Sequence, residues 1–264
     1  MRHQAGVDAS ALGQAGAASC SEFEETRLDL LGVNSKVDKK NLPRRLAEIV
    51  GEDAVLADDR ELVVYECDAY TLQKNLPTVV ILPGSAQEVA AVVRLCAGLD
   101  FPIIPRGAGT SLSGAVLAVD GGVMIALTRM NRVLNVDPRN RRALVEAGCV
   151  NAWITRDAEK HGLFYAPDPS SQTACTIGGN IATNSGGPHT LKNGVTTNHI
   201  LGYEMVLPDG SIEWLGVEPD GGEEVPGYDL RGAGIGSEGM FGVVTRVLVR
   251  LMKTPPAYKT FLGV

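Results

Sequence analysis

Twelve of the chain's 31 glycines fall within three short stretches, 105–114, 174–187 and 232–242. These stretches make up 35 of the 264 residues; at ordinary glycine usage an even spread would place about four there. Glycine is entropically costly and is retained where main chain must turn sharply or come close to something. The chain must therefore fold so that bare backbone is presented at three places far apart in sequence.

The first stretch, PRGAGTSLSG (105–114), follows a strand-like PIIP at 102–105. Gly107, Gly109, Thr110, Ser111, Ser113 and Gly114 present consecutive main-chain N–H groups and three hydroxyls, which suit a phosphate or pyrophosphate. Hydrogen bonds to a charged group contribute about 1.5–3 kcal/mol each, so four supply much of the roughly 8 kcal/mol that micromolar binding needs. The segment is not a Walker loop, because GxxxxGK[ST] is absent. A surface loop is the plainer alternative, and the preceding strand favours the anion site. Arg106 either screens a pyrophosphate charge or is an ordinary surface arginine.

The second stretch runs from PDPSS (167–171) into CTIGGNIATNSGG (175–187). Two Gly-Gly pairs bracket neutral hydrogen-bonding groups on Asn180, Thr183, Asn184 and Ser185, among small residues such as Ala174 and Ala182. Such groups suit the polar rim of a ring system and a sugar-like chain; a long, turn-rich loop is the alternative. The third stretch contains GIGSEG (234–239), a match to GxGxxG. That fingerprint needs a helix after it, whereas VVTRVLV (243–249) reads as a strand. The NAD reading is rejected, and the glycines are taken to let a bend approach a ligand or a neighbouring lobe.

Elsewhere, residues 1–40 read as a mobile tail with a short helix near Phe23–Leu31. A helix is expected from Asn41, with Pro43 in its first turn. TVVILP (78–83) suits a buried strand, and SAQE (85–88) is a capping box opening a helix that Gly98 ends. GVMIAL (122–127), RVLNVD (132–137) and RALVEA (142–147) are strand-like. Asn151 is the expected N-cap of a helix through His161. Pro208-Asp209-Gly210 signals a hairpin, and 216–229 reads as a solvated acidic loop. Helices and strands mix without strict alternation, which favours α+β over a doubly wound sheet.

With 24 Lys+Arg against 31 Asp+Glu and a net charge of −7, nucleic acid is a poor partner. No run of about 18 apolar residues reads as a transmembrane helix, and the start does not read as a secretion signal. Five widely spaced cysteines without CxxC fit a reducing compartment and give no zinc or iron–sulfur pattern. Aromatic residues make up only 5%, unlike single-strand or carbohydrate binders. The four histidines form no HExxH, there is no GxSxG elbow, and no metal site is expected. His189 is read as surface or structural. What remains is a cofactor-sized ligand with a phosphate and a ring, and no catalytic acid–base set. A redox cofactor, which carries its own chemistry, fits that description.

At these segments the chain resembles the FAD-binding domain of the vanillyl-alcohol-oxidase (PCMH) type. Within that group it most resembles the glycolate oxidase FAD subunit and D-lactate dehydrogenase branch. The matching stretches are YECDAY (65–70), VILP (80–83) with its helix, PRGAGTSLSG (105–114), CTIGGNIATNSGGPHTLKNG (175–194), GYDL (227–230) and GIGSEGMFGVVT (234–245). The resemblance implies two α+β subdomains, about 41–133 and 134–252, gripping FAD between them. Arg106, Gly107, Ala108, Gly109, Thr110 and Ser111 would hold the pyrophosphate. Pro167, Thr176, Ile177, Gly178, Gly179, Asn180, Ala182, Asn184 and Ser185 would line the flavin side. Glu238, Gly242 and Val243 would complete the wall. Relatives that attach flavin covalently use a histidine, often near the first loop; none lies between 101 and 116, so noncovalent FAD is expected.

The resemblance further implies hydride transfer from a 2-hydroxy acid such as glycolate or D-lactate to flavin N5. An iron–sulfur subunit or quinone would accept the electrons. The place would be the cytoplasm, or the inner-membrane surface through a partner. Residues 253–264 read as the start of a cap domain that relatives use to supply substrate-binding groups and the base. The chain alone is expected to turn over little. The alternatives are a noncatalytic flavin-binding or assembly module, or a related flavoprotein of the alkyl-glycerone-phosphate synthase type.

Overall fold

Leu42, Leu46 and Val50 recur at helical spacing and are all buried. They seat helix α1 (Ser35–Val50) on a hydrophobic core shared with the first of two sheets. The computed structural model describes residues 35–221, 227–257 and 259–262, with backbone alone for 35–40. The chain divides into two units, 1–41 and 42–264. Of the first, only the opening of α1 is described. The expected helix near Phe23–Leu31 lies outside the described residues. Because α1 begins at Ser35 rather than Asn41, Pro43 sits inside the helix, where it forgoes one main-chain hydrogen bond.

The first sheet has the order β1 (Val55–Leu56), β2 (Val79–Ile81), β4 (Val123–Ala126), β3 (Ile103–Arg106). β2, β4 and β3 are parallel, and β1 pairs antiparallel with β2. All residues of β2 and β4 are buried, as expected of central parallel strands covered on both faces. A short helix, α2 (Asp59–Leu62), adds Leu62 to one face. The other face packs on α1 and on α3 (Ala86–Gly98) through Val89, Val92, Val93 and Cys96. Ser85 Oγ accepts from Glu88 N–H at 3.2 Å, a cap that stabilises by about 1 kcal/mol. Glu88 reaches back one residue beyond the usual box, to Gly84 N–H. Gly98 is the last helical residue, and Asp100, at φ 54°, makes the left-handed turn expected of the glycine.

The second sheet is antiparallel, in the order β5 (Val133–Asp137), β6 (Arg142–Glu146), β10 (Val243–Arg250), β8 (Ile200–Val206), β9 (Ile212–Gly216). The β8–β9 hairpin turns at Pro208-Asp209-Gly210 as the sequence signals. Helix α4 (Asn151–Glu159) and the α5 helix (Ile177–Thr183) cover the sheet through Ile154, Ala158, Ile177 and Ile181. β7 (Leu163–Phe164) pairs with β11 (Met252–Lys253). The fold is α+β. Arg94 of α3 donates to Gly210 O at 2.6 Å, and Val206 and Val243 enter the first core, so the two sheets share packing.

Two expectations are corrected. Asn151 does not cap α4: Val150 holds the cap position, and the Asn151 side chain is buried. The second glycine stretch is not merely a loop; residues 177–183 are helical, with Thr176 as N-cap accepting from Gly179 N–H. Two glycines and a β-branched cap hid that helix from periodicity.

Candidate functional site

The three glycine stretches meet. β3 aims the first of them, through Gly107, at the N-cap of α5. There a β-carbon on Gly107 would overlap Thr176 Oγ1. The third stretch, which begins within α6 (Leu230–Gly234), is bonded to α5 by Gly236 N–H to Ile181 O at 2.8 Å and Glu238 N–H to Ala182 O at 2.9 Å. It also reaches the first, since a β-carbon on Gly239 would stand 3.4 Å from Pro105 Cγ. Between them lies a cleft with about 300 Å³ of open space, walled largely by Gly, Ala, Ser and Thr.

The first loop offers its backbone to that cleft. Among the described residues, nothing accepts from the N–H groups of Ala108, Gly109, Thr110, Ser111 or Leu112. Gly109 sits at φ +68°, a left-handed conformation that turns the chain between them. Consecutive free N–H groups around such a turn form an anion-binding concavity.

Residues 65–70 brace this loop from behind, a role the sequence reading did not foresee. Arg106 is buried; its guanidinium donates to Cys67 O at 2.9 Å and lies 5.4 Å from the Tyr65 ring centre. It is thus held by residues 65–70 rather than free, while still lining the cleft. Burial pulls its pKa down, while Tyr65, Asp68 and Cys67 push it up. Buried Asp68 accepts from Tyr70 N–H at 2.8 Å and from Gly114 N–H at 3.1 Å. The Asp-Ala-Tyr turn was the available signal, since aspartate commonly bonds the N–H two residues on.

The expected site residues line the cleft except Pro167, Ile177 and Asn184. Pro167 O accepts from Asn151 Nδ2 at 3.0 Å, and Asn151 Oδ1 accepts from Asn180 Nδ2 at 2.8 Å. Asn180 therefore spends its amide on the frame while contributing to the wall. Ile177 is core, and Asn184, at φ 46°, ends α5 and accepts from Thr197. Met205, Ser171, Ser237 and Cys175 also line the cleft, unforeseen. Burial raises the Cys175 thiol. Arg106 and Glu238 are the only charged residues in the wall among those described. His189 lies outside it, exposed, with Nδ1 bonded to Asp168 Oδ2.

A family model described as "FAD binding domain" matches residues 77–216. This chain belongs to that FAD-binding family. Glycolate oxidase subunit GlcD of Escherichia coli is 40% identical over 90% of this chain and 47% of its own length. D-lactate dehydrogenase of Anaerostipes hadrus is 40% identical over 69% of this chain and 38% of its own. A solved structure of alkyldihydroxyacetonephosphate synthase superposes with a TM-score of 0.72 at 27% identity, covering 81% of this chain and 40% of that one. The chain spans about half the length of the curated relatives it matches. The fold is the FAD-binding, PCMH-type α+β fold, and the cofactor of the domain is FAD. The cleft fits it: free N–H groups and hydroxyls suit the diphosphate, and small side chains leave room for a flat ring.

Proposed function

We propose that this chain is the cofactor-holding part of an FAD-dependent oxidoreductase acting on a small 2-hydroxy acid such as glycolate or D-lactate. The observation that carries the reading is the run of N–H groups at 108–112 that, among the described residues, have no acceptor and belong to residues lining the cleft. The order of glycine stretches and the likeness to the glycolate oxidase subunit and the D-lactate dehydrogenase support the substrate class.

FAD, bound noncovalently here, would supply a two-electron acceptor for the hydride of the substrate's α-carbon. The loop from Arg106 to Ser111 holds the diphosphate by main-chain hydrogen bonds. Thr176, Gly178, Gly179, Ala182 and Ser185 close on the ring side, and Glu238, Gly242 and Val243 form the remaining wall. Pro167, Ile177, Asn180 and Asn184 keep that wall in place. The wall is tightly packed from outside, as where Ala147 Cβ comes within 3.0 Å of a β-carbon position on Gly178. The subdomains about 41–133 and 134–252 grip the cofactor. Residues 253–264 lead toward a covering cap, and electrons leave to an iron–sulfur subunit or quinone. Among the described residues no helix is long and apolar enough to cross a membrane. The proposed setting is cytoplasmic, with a partner carrying any membrane contact.

Purified chain should be yellow and hold one FAD, released by acid. A colourless chain that takes up no FAD would sink the cofactor assignment. Adding the relatives' second half in trans, with D-lactate or glycolate and an artificial acceptor, tests the substrate class; FAD reduction by neither acid overturns it.

A further inference from the structure

At the opposite end of the second sheet, two arginines, a lysine and a histidine line one hollow without a counter-charge. The β5–β6 turn brings Arg139 and Arg141, the residues after α4 bring His161, and β11 brings Lys253; all four line one polar hollow. Among the described residues none of them is paired with an acid. Nearby Asp137 accepts from Asn140 and Arg142 instead, and Glu159 does not line the hollow.

The frame under these cations is fixed. Leu251 N–H donates to Arg141 O at 2.7 Å, Thr254 N–H to Gly162 O at 2.9 Å, and Lys253 pairs with Leu163 across the β11–β7 ladder. Like charges gathered around one hollow repel, by an amount that salt reduces. In a chain of net charge −7, such a local excess of positive charge is relieved by a bound anion. The hollow is distinct from the FAD cleft. Strand β6 runs from Arg142 beside the hollow to Glu146, and the next residue, Ala147, lines the cleft. At about 3.3 Å per residue the two sites are roughly 17–20 Å apart.

We propose that this hollow binds a multiply charged phosphate-type anion, free in solution or on a lipid headgroup. Arginine's planar fork grips phosphate oxygens in pairs and lysine adds a point charge. Calorimetric titration of the FAD-saturated chain with pyrophosphate should show binding that weakens with salt. The double variant Arg139→Gln/Lys253→Gln, exposed and off the core, should weaken it at least about tenfold. Vesicles of phosphatidylcholine with phosphatidylglycerol form the second arm; capture of the parent chain but not of the double variant identifies a lipid source, and pyrophosphate binding alone identifies a soluble one. No binding in either arm, equal binding by the double variant, or a pyrophosphate response abolished by FAD would each overturn the proposal. Because the last outcome reports on the cleft and the others on the hollow, this proposal fails separately from the FAD assignment.

Discussion

Thr176 Oγ1 occupies the space that a β-carbon on Gly107 would need. The same oxygen accepts from Gly179 N–H at 3.4 Å, so it cannot simply swing away without uncapping α5. Gly107→Ala should therefore cost about 1–3 kcal/mol and lower Tm by roughly 2–10 °C. FAD content should fall with it. Thermal unfolding and flavin absorbance of purified protein measure both. Because Thr176→Ala removes the obstacle, the double variant should be less destabilised than the two single losses combined.

Asp68 carries the other end of the same loop. Asp68→Ala leaves the N–H groups of Tyr70 and Gly114 without their acceptor, at a cost of about 1–3 kcal/mol. FAD affinity should drop more than in a surface control, because the loop that presents the free N–H groups loses its anchor. Urea unfolding and a flavin fluorescence titration separate the two effects. Wild-type affinity in this variant would show that the brace does not reach the site.

How much of this was legible beforehand depended on the kind of signal. β2, the β8–β9 hairpin and the strand after GIGSEG were readable, because short apolar runs and a Pro-Asp-Gly turn have local causes. So was the rejection of a dinucleotide helix at 234–239: β10 follows there. α5 was not, because two glycines and Asn180 break its apolar pattern and its helix is held by Thr176 and by packing of Ile177 and Ile181. Asn151 looked like a cap because asparagine usually is one, whereas here a partner 29 residues away, Asn180, claims it. The cleft's glycines stood out by their clustering; Met205 did not, since only the folded chain brings β8 alongside.

Stability should fall with acid in two steps. Burial holds the His199 pKa below its usual 6.5, despite the bond to Asn193 O. The unfolded state then takes the proton first, so stability declines as pH drops below 6.5. Burial pushes Glu204 up, but bonds from Arg246 and Thr245 outweigh it and hold the carboxyl below its usual 4.5. Its contribution is complete above 4.5 and is lost as pH falls through the folded value. Unfolding midpoints from pH 8 to 3 should show both declines, with His199→Gln flattening the upper and Glu204→Gln the lower.

Thiol reactivity should grade with burial. Cys96 and Cys149 are pushed up to about 12 by burial, whereas Cys67 is only partly covered. Of these three, Cys67 should react first with a thiol reagent in native protein. Cys96 and Cys149 should react only at the rate of global opening, as mass spectrometry of quenched samples would show.

Gly236 and Glu238 hang from α5, while Gly239 leans on Pro105. This triangular closure joins residues more than a hundred positions apart. No fragment that lacks one of the three stretches, and no folding state in which they have not met, possesses the receptor for the cofactor. Quenching of flavin emission should accordingly be the last optical event in refolding, later than the recovery of helix and sheet signals, and would serve as a clock for completion of the whole domain.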